Sequence, residues 1–188
     1  MNKSKVYLDH AATTPVDPMV VAEMLPYFNE QFGNPSSVHA FGQKAEAAVE
    51  LAREDLAAIL NAHPDQILFT ACGSESDNLA VRGAAFNARR AHGANRIITS
   101  YLEHHAISRT AQDLAQRFGF EVAWAPADEY GRVLPEALEP LLGPEVAVVS
   151  LMYANNEIGT LNPISELGAL CRERSIPFHS DAVQAASQ

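Results

Sequence analysis

Basic residues are scarce in this chain. Its 188 residues carry 13 Lys+Arg against 23 Asp+Glu, a formal net charge of −10 at pH 7. A nucleic-acid groove needs clustered cations to neutralise phosphates. The nearest approaches to a cluster, Arg89-Arg90 and Arg172/Arg174, read as solvated helix ends, so nucleic acid is excluded as a partner. Cysteine is rarer still. Cys72 and Cys171 give neither a disulfide framework nor a metal-ligand spacing, and no metal site is expected. No hydrophobic run reaches membrane-spanning length, and MNKSKVYLDH passes into Asp and His without an apolar signal core. A soluble protein without a membrane partner is expected, with the cytoplasm as its compartment. There is no internal repeat and no low-complexity tract.

What is present is an ordinary globular composition, 47% hydrophobic and 19% charged, in a chain long enough for one domain with a real core. The informative stretch is residues 67–78, ILFTACGSESDN. Four residues of β character run into Ala71, Cys72, Gly73 and Ser74, and an apolar series at helical spacing follows from Leu79. The pattern predicts strand, tight turn and helix N-terminus. Such a turn exposes unpaired N–H groups at the positive end of a helix dipole and so favours an anion, above all a phosphate. Gly73 permits close approach, and Ser74 can add a hydroxyl donor. Many α/β turns look like this and bind nothing.

Along the rest of the chain, residues 5–9 read as a short strand and 10–15 as a loop. Asp17 caps a helix that begins at Pro18 and is stopped by Gly33. Asn34-Pro35-Ser36-Ser37 is a turn and a second cap. Phe41, Ala45, Ala48, Ala52, Leu56 and Ile59 then step along one helical stripe. Beyond the helix near Glu75 the pattern alternates: strands at 96–100, 120–125, 146–151 and 176–180, helices at 105–118, 134–142 and 164–174. The continuous apolar run VAVVSL suits a strand buried on both faces. Strand alternating with helix predicts an α/β fold with a parallel sheet and right-handed crossovers.

Ligands in such sheets sit at the carboxyl ends of the strands. The residues there are Cys72-Gly73-Ser74, Glu103-His104-His105, Tyr153 to Glu157, and Asp181 to Gln184. Asp181 is either a helix N-cap or a carboxylate for a protonated ring nitrogen, the partner pyridoxal phosphate requires as an electron sink. Gln184 shares its helical face and could donate to a phenolate oxygen. His104 and His105 are surface histidines, or one stacks on a flat ring and moves protons near pH 7. Asn155-Asn156 caps a loop or supplies amides to a ligand. Cys72 reads most simply as a small residue in a tight turn, since no base accompanies it.

The segments YLDHAATTPVDP, FGNPSSVHAFGQKA, ILFTACGSESDN, EHHAI, MYANNEIGT and HSDAVQ, in this order and spacing, resemble the cysteine desulfurases, the class V aminotransferase group of fold-type I pyridoxal-phosphate enzymes. The resemblance covers essentially the whole chain. It implies the three-layer α/β fold of the transferase large domain, with a mostly parallel sheet incomplete at its C-terminal end. Residues 1–15 would belong to the small domain and 16–188 to part of the large one. Gly73 and Ser74 would hold the phosphate of pyridoxal 5'-phosphate. His104 would stack on its ring and serve as the catalytic proton-transfer group. Asn155 would contact the phenolic oxygen and the substrate, Asp181 the ring nitrogen, and Gln184 the phenolic oxygen. Where the family often has Gly then Ala or Gly before Thr, this chain has Cys72-Gly73-Ser74, which keeps the hydroxyl.

Several features of the family are absent. Its Schiff-base lysine follows the Asp/Gln motif in a Ser-x-His-Lys context, whereas the lysines here are Lys3, Lys5 and Lys44. The loop cysteine that takes the sulfur, an arginine for the substrate carboxylate and most of the small domain are also missing. The resemblance therefore implies an N-terminal portion of a desulfurase that converts L-cysteine to L-alanine and delivers sulfur to an iron–sulfur scaffold or other acceptor protein. The intact form would be a homodimer, and this portion alone inactive. Alternatives are a selenocysteine lyase or other class V enzyme, and a non-catalytic fragment or half of a split enzyme.

Overall fold

The computed structural model describes residues 5–186, and the chain divides after Phe69 into two compact units. In the first, α1 (Pro18–Met24) is capped by Asp17, whose carboxylate accepts from the Met19 amide at 2.7 Å. The single helix expected from 18 towards 33 is two. Pro26 has no N–H to continue the ladder, so α2 (Pro26–Asn29) starts afresh there. Asn34 forms its turn, accepting from Ser36 N at 2.9 Å. The cap of α3 (Ala40–Ile59) is nevertheless His39, whose Nδ1 accepts from Gly42 N.

Neither segment expected to be a strand at 5–9 or 67–70 is one among the described residues. Both have the composition, but a strand exists only through ladder bonds to a neighbour, and neither finds one. The second of these still runs directly into the helix that follows it.

The second unit holds all the sheet. It comprises α4 (Gly73–His92), β1 (Arg96–Ser100), α5 (His105–Phe118), β2 (Glu121–Ala125), α6 (Pro135–Leu138), β3 (Val146–Ser150), α7 (Ile164–Glu173) and β4 (Phe178–His179). Pro140 turns the end of the expected 134–142 helix into a 3-10 turn, Glu139–Leu141. The strands lie parallel in the order β2-β1-β3-β4. Strand β3 is buried at every position, so its alternate side chains feed two cores. Val148 and Ile97 meet Val81, Ala85 and Ala88 of α4 and Ile107, Ala111 and Leu114 of α5. Val149 and Ile98 meet Leu138 of α6 and Leu167 and Cys171 of α7. That is the expected three-layer α/β arrangement.

Gly93 (φ 79°) and Gly119 (φ 68°) take the left-handed conformation that ends α4 and α5. The chain returns at once into β1 and β2, which aligns the carboxyl ends of the strands beneath the starts of both helices. β4 is shorter than expected, but its ladder runs on: Leu151 N donates to His179 O (3.1 Å) and Tyr153 N to Asp181 O (2.9 Å).

Candidate functional site

The carboxyl ends of β1, β3 and β4 and the first turn of α4 form one polar region. At that turn Cys72 caps α4 without a side-chain bond, and the amides of Gly73 and Ser74 find no acceptor among the described residues. Glu75 folds back to accept from Ala71 N at 2.7 Å. Asn78 donates to Ser74 O at 2.9 Å and accepts from Thr110 Oγ1 at 2.6 Å, fixing the turn to α5. A Cβ on Gly73 would come within 3.0 Å of Val183 Cγ2, so the turn after β4 packs directly against this glycine.

Asp181 begins that turn. It is 8% exposed, and its Oδ1 accepts from Val183 N at 3.0 Å, while Oδ2 has no partner among the described residues. The local geometry is thus a cap, and the second oxygen stays available. Gln184 lies exposed on the turn that follows. His104 is the N-cap of α5, its Nδ1 accepting from Ala106 N at 3.1 Å. In the neutral imidazole the proton therefore sits on Nε2, as a donor. Ser74, His104, His105, Asn78, Arg82 and Thr110 line an open groove of about 390 Å³ between α4 and α5.

Asn155 is 8% exposed and does more bracing than a capping residue needs. Its Oδ1 accepts from the amides of Glu157 and Ile158 (2.9 and 3.0 Å), and its Nδ2 donates to Leu102 O (2.9 Å) and faces Met152 Sδ (3.3 Å). It ties the loop after β3 to the loop that carries His104. One amide hydrogen meets only a thioether, a weak acceptor.

Two further acids belong to the region. Asp77 is 4% and Glu103 7% exposed. Glu103 Oε1 accepts from Met152 N at 2.9 Å, and Oε2 is buried without a partner. Burial first, then the charges of Asp181 and Asp77, push the Glu103 carboxyl up to about 8. Burial and the Asp181 charge raise Asp77 to about 6, against the lowering effect of His104. Burial also lowers the His179 imidazole, opposed by Asp181. The signal for Asp77 was in the sequence: it stands in helical register with Val81, Ala85 and Ala88, so a carboxylate occupies the apolar stripe of α4. Glu103 was visible as a strand-end residue, but nothing in sequence marked it as buried.

Of the residues expected at the site, Gly73 meets the turn opened by Asp181, Ser74 and His104 share a groove, and Asn155 braces the His104 loop. The larger cavity of about 650 Å³, lined by His92, Gly143, Arg174 and Ser175, opens by the amino end of β3, away from this region. No cluster of three or more metal-ligating side chains exists among the described residues.

The donor set fits a phosphorylated, cationic heteroaromatic ring. Two free amides stand at a helix N-terminus, where an anion is favoured, a neighbouring carboxylate keeps an open oxygen, and an imidazole stands at the rim. A side chain at Gly73 would press on Val183, so the glycine keeps this turn close to the one after β4.

Residues 6–188 match the family model described as aminotransferase class-V. The chain is 51% identical over 185 residues to the cysteine desulfurase IscS of Clostridium botulinum strain Hall, covering 98% of this chain and 46% of that protein. It is 48% identical to the cysteine desulfurase IscS of Methanosarcina thermophila over 180 residues, 96% of this chain and 44% of the relative. Among solved structures, SspA in complex with cysteine aligns with a TM-score of 0.88 at 37% identity, over 95% of this chain and 51% of that one. DndA from Streptomyces lividans aligns with a TM-score of 0.83 at 40% identity, over 96% and 50%. The chain spans about half the length of the curated relatives it matches.

Proposed function

Because the chain belongs to the aminotransferase class-V family, we propose that it supplies the cofactor cradle of a pyridoxal-phosphate-dependent cysteine desulfurase. The observation that carries this reading is one juxtaposition. Gly73, at the free-amide turn of α4, lies against Val183, whose own amide is held by the buried Asp181 carboxylate. In this reading the phosphate site at the turn into α4 adjoins the carboxylate for a ring nitrogen at the end of β4.

Bound pyridoxal 5'-phosphate would supply an electron sink for breaking bonds at the substrate α-carbon. In this reading the Gly73 and Ser74 amides and the Ser74 hydroxyl bind its phosphate. Asp181 keeps the ring nitrogen protonated. His104 stacks on the ring and holds a proton on Nε2 for transfer. Gln184, and the Asn155 amide hydrogen that faces only sulfur, donate to the phenolic oxygen, and Asn155 also meets the substrate. The substrate is L-cysteine, the amino acid with which SspA was solved, and the products are L-alanine and a sulfur passed to an acceptor such as an iron–sulfur scaffold protein.

None of the three lysines, Lys3, Lys5 and Lys44, follows the Asp181–Gln184 stretch. The covalent lysine and the sulfur-carrying cysteine would come from the part of the relatives' length that this chain does not span. The 188-residue chain alone would not turn over cysteine. In the intact protein, residues 1–15 would join the small domain and 16–188 form part of the large one, in a homodimer working in the cytoplasm.

The test is purification of the intact protein from its source, with its mass, its visible absorbance and its release of alanine and sulfide from L-cysteine. A mass above 20.3 kDa, a bound chromophore and alanine in step with sulfide are expected. No chromophore on adding pyridoxal phosphate, or alanine only from selenocysteine, would overturn the reading.

A further inference from the structure

Strand β4 and its extension run beneath the first two turns of α4. Val183 meets Gly73, and His179 meets Asp77, with Nε2 3.7 Å from Asp77 Oδ1. Asp181 lies between these two contacts, opposite the turn from Gly73 to Asp77. Behind it, His179 Nδ1 bonds to Ser150 Oγ at 2.9 Å, the residue in register on β3. Thr99, one place beyond the pair Ile98 and Val149 on β1, continues the row with a buried hydroxyl that has no partner. A polar row thus replaces hydrocarbon in the layer where α4 packs on the sheet.

A half-buried histidine, two buried hydroxyls and a buried carboxylate in this layer need a reason, since a polar group taken out of water costs free energy unless it finds a partner. Asp181 is the charge that acts on both Asp77 and His179. We propose that Asp77 and His179 are a positioning pair for Asp181: Ser150 anchors the imidazole, the imidazole faces Asp77, and the carboxylate of Asp77 deepens the negative potential in which Asp181 receives a protonated ring nitrogen. The inference rests on the cofactor reading given above.

The charges facing this pair are Asp77 on α4, Asp181 on the β4 extension, Glu103 and His104 after β1, and no others with a resolved influence. With Asp77 ionised, the charged state in which it acts on Asp181, the Nε2 that faces it carries the imidazole proton and Nδ1 accepts from the Ser150 hydroxyl. Burial keeps the imidazole neutral by lowering its proton affinity. The pair therefore requires the Nε2-protonated tautomer, one of the two that a lone histidine at this place would be free to adopt.

Two measurements on the intact holoenzyme test this. The first is the pH titration of the bound cofactor's visible absorbance in the unaltered protein and in Asp77→Asn, with cofactor content and circular dichroism checked for both. The midpoint is expected to fall by about one pH unit in Asp77→Asn, as loss of one nearby buried charge implies. A loaded Asp77→Asn with an unmoved midpoint would overturn the proposal, since a merely structural acid would leave it there. The second uses histidine labelled with nitrogen-15 in the unaltered protein, with His179→Asn to assign the signal. A neutral His179 protonated on Nε2 is expected, and protonation on Nδ1 overturns the pair even if Asp77→Asn fails to fold or load. Should the unaltered protein take up no pyridoxal phosphate, the cofactor reading fails, while the His179 tautomer still decides whether the pair exists.

Discussion

Glu103→Gln tests the electrostatics of the site through stability alone. Glu103 is 7% exposed, and its carboxyl, ordinarily at 4.5, is pushed up to about 8, chiefly by burial. Below pH 4.5 the carboxyl is protonated in both the folded and the unfolded chain, and no penalty arises. Between 4.5 and about 8 the unfolded chain releases the proton and the folded chain keeps it, so the unfolded state binds fewer protons and stability falls as pH rises. Above about 8 both forms are ionised and the full penalty stands. The shift corresponds to on the order of 3–5 kcal/mol across that window. Gln keeps an oxygen to accept from Met152 N and cannot ionise. The variant should match the parent protein near pH 4.5 and exceed it by several kcal/mol near pH 9, read from urea midpoints at fixed ionic strength. Asp77, also raised, leaves a residual slope of the same sign in both proteins. Equal pH slopes for the two would refute a buried, largely protonated Glu103.

Gly73→Ala places a methyl 3.0 Å from Val183 Cγ2 and should weaken pyridoxal-phosphate binding in the intact protein by about tenfold, with Val183→Ala recovering most of it, by equilibrium titration. Leu114→Ala empties a fully buried position between α5 and the sheet and should lower stability by about 2–5 kcal/mol in urea unfolding. Asn155→Ala strands the amides of Glu157 and Ile158 and cuts the tie to Leu102, and should cost about 1–3 kcal/mol and speed amide exchange at residues 153–161. Pro26→Ala restores an N–H at the break between α1 and α2 and should raise helical circular dichroism without lowering stability.

Much of the second unit was legible in sequence because its periodicities are local. The helix at 105–118 and the strand at 96–100 were read to the residue, since Gly119 and the run RIITS mark them by their own chemistry. Helix ends at Pro26 and Pro140 were legible too and were overrun, because the apolar stripe continues on both sides of each proline. Residues 5–9 and 67–70 show the opposite case. Their composition favours a strand, but a ladder needs a second chain segment, and no local pattern supplies one.

Sequence by itself determined the α/β class, the parallel sheet, the family, and which residues stand past β1, β3 and β4, because alternation, turn residues and motif spacing are properties of the chain in order. Tertiary structure decided what those residues face. Only packing placed Val183 on Gly73, committed most of the Asn155 amide to bracing two loops, and buried Asp77, Glu103 and Asp181 within reach of each other's charge. Burial and mutual distance set how a carboxyl titrates and which oxygen stays free, and neither quantity exists until distant segments are brought together.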